Sequence, residues 1–175
     1  PVDVERFQLG TGPPPGSPPV LLGVADFDQP NKGLKVLLQA FHMLKQEGFP
    51  GLLKISGRLS DSNKDTAFAG LPASTTRDIT VLGLGEPQDL PRQYATASLL
   101  VLPSVWEASG SVMFEAWSAG TPVVASRHAG LPEFVRPDVG VLFDPKREGL
   151  AASNATGLVA AIREGLEAWE GELLE

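Results

Sequence analysis

The sequence contains no cysteine and only two histidines, His42 and His128. Without cysteine there is no disulfide framework, no thiolate zinc site and no cysteine nucleophile. Two histidines are too few for a histidine-rich metal cluster. Basic side chains are also in deficit, with 14 Lys and Arg against 21 Asp and Glu, a formal charge of −7. A broad nucleic-acid footprint needs a lysine or arginine face, so the balance excludes that class. No apolar run approaches the roughly 18 residues of a spanning helix, and no basic-then-apolar leader precedes the first apolar run. What is present is 42% apolar residues in a chain of 175, enough for a real core. Together these features predict one soluble globular domain, of a length usual for single domains.

Residues 1–7 read as an extended lead-in. Residues 10–19, GTGPPPGSPP, hold five prolines that fix φ and delete backbone donors, so residues 1–19 are expected to form a linker. A linker this early predicts a further domain upstream, with residues 20–175 as the domain proper. Beyond it, short apolar runs recur at residues 20–25, 52–56, 79–82, 99–103, 122–125 and 139–143. They are too short for helices and lack strict alternation, the pattern of strands buried on both faces. Between them lie helical segments, the clearest at residues 32–46, where Leu34, Leu37, Leu38, Phe41 and Leu44 recur at helical spacing. Residues 61–70, 88–97, 110–119 and 156–169 follow the same logic. Six strands alternating with helices predict an α/β fold, a doubly wound parallel sheet covered on both sides.

In such a sheet ligands bind outside the carboxyl ends of the strands, where strand order reverses. With the order 3-2-1-4-5-6, the reversal falls between strands one and four. Their exit loops, residues 26–32 (DFDQPNK) and 104–110 (SVWEASG), are also the most chemically loaded in the chain. In the second, Glu107 precedes a helix whose start carries Ser109, Gly110 and Ser111, and Glu115 lies inside that helix. A helix start offers unpaired N–H groups and a positive dipole end, a cradle for phosphate. The flanking carboxylates suit neutral hydroxyls of a sugar and a ribose. Glu115 sits among Val112, Met113, Phe114, Ala116 and Trp117, so its carboxylate needs a partner. Lys32, beside Gly33 at the end of the first loop, is placed to reach a diphosphate as a point charge.

Several motifs point elsewhere and are set aside. Asp26-Phe27-Asp28 has the Asp-x-Asp form with which some enzymes hold manganese, but the motif is short and no metal is predicted. Gly83-Leu84-Gly85 begins a dinucleotide fingerprint, yet Gln88 stands where its third glycine belongs. Asn154-Ala155-Thr156 is read as a helix cap. Both histidines are read as structural, His42 near the exposed edge of its helix.

Residues 20–145 resemble the C-terminal, donor-binding half of retaining GT-B glycosyltransferases of family 4, the group 1 transferases. Residues 1–7 resemble the end of that family's interdomain connection. Residues 25–33 resemble its glycine-arginine … lysine-glycine signature, and residues 52–57 its second strand with a closing glycine. Val81–Gly83 with Asp89-Leu90 resemble the segment forming a nucleobase pocket. The strongest match is Pro103-Ser104 … Glu107 … Gly110 … Glu115-Ala116 … Ala119-Gly120-Thr121-Pro122, a Glu-x7-Glu signature, followed by Ala129-Gly130 … Glu133.

The resemblance implies a Rossmann-like half of a GT-B enzyme that binds a nucleoside-diphosphate sugar and transfers a hexose with retention, without metal or other cofactor. It implies Glu107 at the donor-sugar hydroxyls as the catalytic position, with Ser109, Gly110 and Ser111 at the sugar and diphosphate. It puts Lys32 at the diphosphate, Glu115 at the ribose and Gly85 at the base. A missing N-terminal domain would receive a sugar, lipid or small-molecule acceptor. The whole enzyme would be cytoplasmic, with peripheral membrane association open to it. Two departures stand out: Asp26 replaces an arginine that neutralises the diphosphate, and Ser109 replaces an aromatic. By topology Arg58, at the exit of strand two, is the candidate substitute cation. The alternative is a degenerate domain of the same fold that binds a ligand or partner without turnover.

Overall fold

The computed structural model describes residues 4–7, 14, 16–86, 88–106, 110–148 and 151–172. Six parallel strands form one sheet: β1 (Val20–Val24), β2 (Leu52–Ser56), β3 (Ile79–Gly83), β4 (Leu99–Leu102), β5 (Val123–Ser126) and β6 (Gly140–Phe143). Their order is β3-β2-β1-β4-β5-β6, so the chain winds outward from β1 and then returns to start again at β4. The fold is thus the expected doubly wound, Rossmann-like α/β sheet. The helices are α1 (Val4–Phe7), α2 (Leu34–Gln46), α3 (Asp61–Phe68), α4 (Ala73–Thr76), α5 (Asp89–Ala95), α6 (Ser111–Ser118), α7 (Leu131–Phe134) and α8 (Ala155–Glu172). A short antiparallel pair, β7 (Arg147–Glu148) with β8 (Ala151–Ala152), precedes α8.

The strands lack polar alternation because both faces of the sheet are covered. Leu21, Leu99, Val101 and Val124 point into one core, against Leu37, Phe41 and Leu44 of α2 and Leu158 and Ile162 of α8. Leu22, Leu100, Leu102, Val123 and Ala125 point into the other, against Tyr94 of α5, Met113 and Ala116 of α6, and Leu131. Successive residues of one strand therefore serve opposite cores, both apolar.

Three features differ from or extend the sequence-based expectations. The segment before the proline-rich stretch is not extended: residues 4–7 form a helical turn whose Phe7 is 3% exposed and packs in the second core. Residues 8 and 9, and residues 10–13 and 15 of the stretch itself, lie outside the described residues. The helix expected from residue 32 is broken at its start. Pro30–Lys32 form a 3-10 turn, Gly33 takes φ +74°, and α2 begins only at Leu34. The turns α4 and α7 and the β7–β8 pair were not marked by any periodicity, being too short to develop one. By contrast the cap at Asn154 forms as expected, its Oδ1 accepting from Gly157 N at 3.0 Å.

Two glycines set how closely the strand exits approach. A Cβ at Gly33 would sit 2.5 Å from the carbonyl oxygen of Pro103, just past β4. A Cβ at Gly57 (φ +114°) would overlap the carbonyl oxygen of Ala25, just past β1. Gly48 shares the left-handed backbone (φ +86°) but has open space around it. Gly48→Ala should therefore cost only the backbone strain, about 1 kcal/mol. Gly33→Ala adds a collision with backbone that cannot rotate away, and urea unfolding is expected to show a distinctly larger loss.

Candidate functional site at the strand exits

The reversal between β1 and β4 brings the two loaded loops into contact. Val105 N donates to the Asn31 carbonyl at 2.9 Å, and Asn31 Nδ2 donates to the Trp106 carbonyl at 3.2 Å. Asn31 thus clasps the β4 exit to the β1 exit, one residue from Lys32. Lys32 is half-buried at the end of the 3-10 turn, with Gly33 pressed against Pro103 behind it.

The exit of β2 joins the same cluster. Phe27 N donates to the Arg58 carbonyl at 2.8 Å. Asp28 Oδ1 accepts from Ser60 N, Ser60 Oγ and Asn63 Nδ2, each at 2.8 Å. These hydrogen bonds hold the Asp28 carboxyl below its ordinary value, led by the Ser60 N–H, then the Asn63 amide, with the Arg58 charge a smaller aid. Arg58 is exposed. Arg58 lines a cavity of about 210 Å³ with Val24, Ala25, Asp26, Gly57 and Leu84. The exits of β1, β2 and β3 therefore share one hollow, as the strand order anticipates.

Asp26 is occupied with its own loop. Its Oδ1 accepts from Asp28 N at 3.3 Å and its Oδ2 from Gln29 Nε2 at 3.1 Å, a turn closed by a side chain. Neither carboxylate of the Asp-x-Asp motif is thus without hydrogen bonds, and no cluster of three or more metal-ligating side chains exists among the described residues.

On the other side, Gly110 (φ +51°) starts α6, with no side-chain cap. A Cβ there would lie 3.1 Å from Leu131 Cδ2, so the start of α6 is seated on α7. Ser111, the first residue of α6, is exposed. Glu107 and Ser109 lie outside the described residues. Glu115, half-buried on α6, accepts a hydrogen bond from Tyr94 Oη at 2.9 Å. Burial first, and then the Glu115 charge, push the Tyr94 hydroxyl far above its ordinary value, so it remains a donor. Gly85 (φ +57°) lies past β3, with Asp89 Oδ2 3.7 Å from where its Cβ would be.

The sequence pattern missed the clasping role of Asn31, the anchoring role of Asp28 and the partner of Glu115. Only the last had a visible signal: Tyr94 is the sole tyrosine of the chain and sits on a helix face otherwise apolar. His42 is structural as read, though further inside than expected: its Nδ1 is 2.8 Å from the buried Thr75 Oγ1, tying α2 to α4.

A six-stranded doubly wound sheet with its loaded loops at the switch point defines the class of α/β domain that holds its ligands outside the carboxyl ends of the strands. Comparison with known proteins narrows this. Residues 18–167 match the family described as glycosyl transferases group 1, and the chain belongs to that family. Its fold is that of the C-terminal domain of a GT-B glycosyltransferase. The chain is 38% identical over 122 residues to O-antigen chain mannosyltransferase B of Escherichia coli, covering 67% of this chain and 31% of that protein. It is 32% identical over 176 aligned positions to D-inositol 3-phosphate glycosyltransferase of Saccharomonospora viridis, covering 91% of this chain and 40% of the relative. Among solved structures, sucrose-phosphate synthase from Thermosynechococcus elongatus superposes with TM-score 0.77 at 26% identity, over 96% of this chain and 43% of that one. The chain thus spans less than half the length of these relatives.

Asp28 offers a direct check on how the β1 loop is held. Because hydrogen bonds depress its folded pKa, the stabilisation is complete above the ordinary value of 3.8 and is lost as pH falls through the lower folded value. Asp28→Ala is expected to lower Tm at pH 7. Thermal melts at decreasing pH should show the gap to wild type closing below about pH 4. A gap that persists at pH 2 would mean the carboxylate charge is not what holds the loop.

Proposed function

We propose that this chain is the donor-binding domain of a retaining glycosyltransferase that takes a hexose from a nucleoside-diphosphate sugar. The observation that carries the reading is the clasp of the β1 and β4 exit loops at the switch point, in a chain belonging to the group 1 family. The acceptor, a sugar, a lipid or another small molecule, would be held by a domain outside this chain. In this reading the whole enzyme is cytoplasmic and able to associate peripherally with a membrane. No described helix is long and apolar enough to cross one.

Each residue has a stated task. Glu107 lies at the hydroxyls of the donor sugar and holds that sugar in place for the transfer. The backbone from Ser109 through Gly110 to Ser111 meets the sugar and the diphosphate at the start of α6. Lys32 supplies charge to the diphosphate from the opposite loop, and Glu115 accepts hydrogen bonds from the ribose. Gly85 offers backbone to the base. Catalysis is then mostly positioning of the two substrates and stabilisation of the charge that accumulates on the departing diphosphate.

That charge needs more than one cation, and Asp26 stands on the same loop as Lys32. Arg58 answers this: it lines the hollow that Asp26 lines, and a guanidinium can grip a phosphate with two parallel hydrogen bonds. A resident metal is not required. The local roles of the Asp-x-Asp carboxylates fit this: Asp28 Oδ1 anchors Ser60 and Asn63, and Asp26 closes its own turn, so both side chains have a task without a metal.

Calorimetry with UDP-, GDP- and ADP-hexoses in the presence of EDTA tests the reading. One of the three is expected to bind selectively. Binding of none would overturn the proposal, and binding only on adding manganese or magnesium would overturn its metal independence. Arg58→Ala should weaken the nucleoside diphosphate about three- to tenfold, the exposed charge being partly screened, while leaving nucleoside binding nearly unchanged. Equal weakening of both ligands, or of neither, would remove Arg58 from the phosphate site.

A further inference from the structure

The side chain of Tyr94 makes no contact with the β1 and β4 loops among the hydrogen bonds described above, yet it is tied to Glu115 with unusual thoroughness. Tyr94 is completely buried on α5. Its backbone carbonyl accepts from the buried Thr121 Oγ1 at 2.7 Å, just past α6, so its main chain is held as well as its ring. Its hydroxyl reaches across to α6 and donates to one carboxylate oxygen of Glu115 at 2.9 Å. On the ring itself lies Phe7, with centroids 5.8 Å apart and planes at 68°, an edge-to-face contact. Phe7 belongs to α1, the turn ahead of the proline-rich stretch, and α1 packs against both α5 and α6.

A buried tyrosine hydroxyl needs an acceptor, and a main-chain carbonyl would serve that need without any charge. Here the acceptor is instead a flexible, half-buried carboxylate. The arrangement does little for the tyrosine that a neutral group could not do, but it does much for the glutamate. One carboxylate oxygen is pinned by a rigid donor on a neighbouring helix, which removes rotamer freedom from the side chain before any ligand arrives.

We propose that Tyr94 is a positioning residue for Glu115: its buried hydroxyl fixes one carboxylate oxygen and so presents the other to a ribose, while Phe7 braces the tyrosine ring from behind. The inference rests on the reading of Glu115 as the ribose acceptor and adds a second tier to it. It also gives the segment ahead of the proline-rich stretch a task in the site. Whatever displaces α1 from α5 and α6 loosens the brace on Tyr94 and, through it, the grip on the ribose.

The test uses UDP, GDP or ADP, whichever binds the chain most tightly, beside its 2′-deoxy and 3′-deoxy counterparts. Wild type is expected to favour the ribonucleotide over at least one deoxy form by about tenfold, the worth of one charge-assisted hydrogen bond. Tyr94→Phe should keep the far-ultraviolet circular dichroism of wild type and reduce that preference to about threefold or less, the signature of lost orientation rather than lost fold. In a Glu115→Ala background, Tyr94→Phe should have no further effect on nucleotide affinity, because a residue acting through Glu115 has nothing left to act on. Should Tyr94→Phe fail to fold, Phe7→Leu reads the same quantity, with a partial loss of preference expected. Full retention of the preference in the folded variant overturns the positioning role while leaving the ribose reading intact. Additive losses in the double variant overturn it too. If wild type does not distinguish ribose from its deoxy forms, the ribose reading of Glu115 falls, and the inference falls with it.

Discussion

A carbonyl oxygen at the end of each central strand leaves no room for a side chain on the loop that packs against it. Pro103 O faces Gly33, and Ala25 O faces Gly57, each at a distance that a Cβ could not tolerate. These two approaches close the exits of β4, β1 and β2 into one cluster. Everything at the candidate site depends on that closure. Gly33 at φ +74° ends the 3-10 turn, which delivers Lys32 and Asn31 to the switch point. Gly57 lets Arg58 follow immediately, with its carbonyl bonded to Phe27 N. A bulkier residue at either place would push the loops apart and separate the charges they carry.

Charge is the second theme, because the chain as a whole is acidic while the proposed ligand is anionic. With a net charge of −7, long-range attraction cannot draw a diphosphate in. Recognition must come from short-range geometry, where screening matters less. The acids nearest the proposed diphosphate are satisfied locally: Asp28 by Ser60 and Asn63, and Asp26 by Asp28 N and Gln29. Hydrogen bonds spread part of their charge into the loop, which moderates the repulsion that two bare carboxylates would exert.

The succession of elements was legible from the sequence because each strand is a short apolar run bounded by turn residues, and six such runs alternating with helices suit the common strand order 3-2-1-4-5-6. The strand boundaries agree with the structure to within one residue at every end. The switch point was legible for the same reason. What could not be read were interactions whose chemistry is invisible in one dimension. Asn31 donates to and receives from a loop more than seventy residues away, and nothing in Pro-Asn-Lys announces it. Residues 4–7 looked extended because four residues are too few to show helical period, and their burial comes from Phe7 meeting Tyr94 far along the chain. Glu115 was recognisable as a carboxylate in need of a partner, but not which partner, since Tyr94 is on a different helix.

Asp26 shows how a single departure from a family pattern can be absorbed. An arginine at this position would supply charge to the diphosphate but could accept no hydrogen bond. The aspartate brings a negative charge instead, which repels a diphosphate, but it closes the turn that carries Asp28 and Gln29. The two residue types therefore act on different equilibria. The aspartate's two hydrogen bonds, 3.1 and 3.3 Å long, bear on folding of the loop and are worth about 1 kcal/mol each at most. The missing cation bears on binding, where one charge about 6 Å from a phosphate oxygen at an effective dielectric near 20 represents roughly 3 kcal/mol of interaction. The binding term is the larger, so loop closure alone does not compensate for the exchange. On the proposed assignment the compensating cation comes from another strand exit, and among the residues lining the same hollow only Arg58 carries a positive charge. In the proposed reading the diphosphate is held between Lys32 and Arg58, with Asp26 reduced to shaping the loop between them.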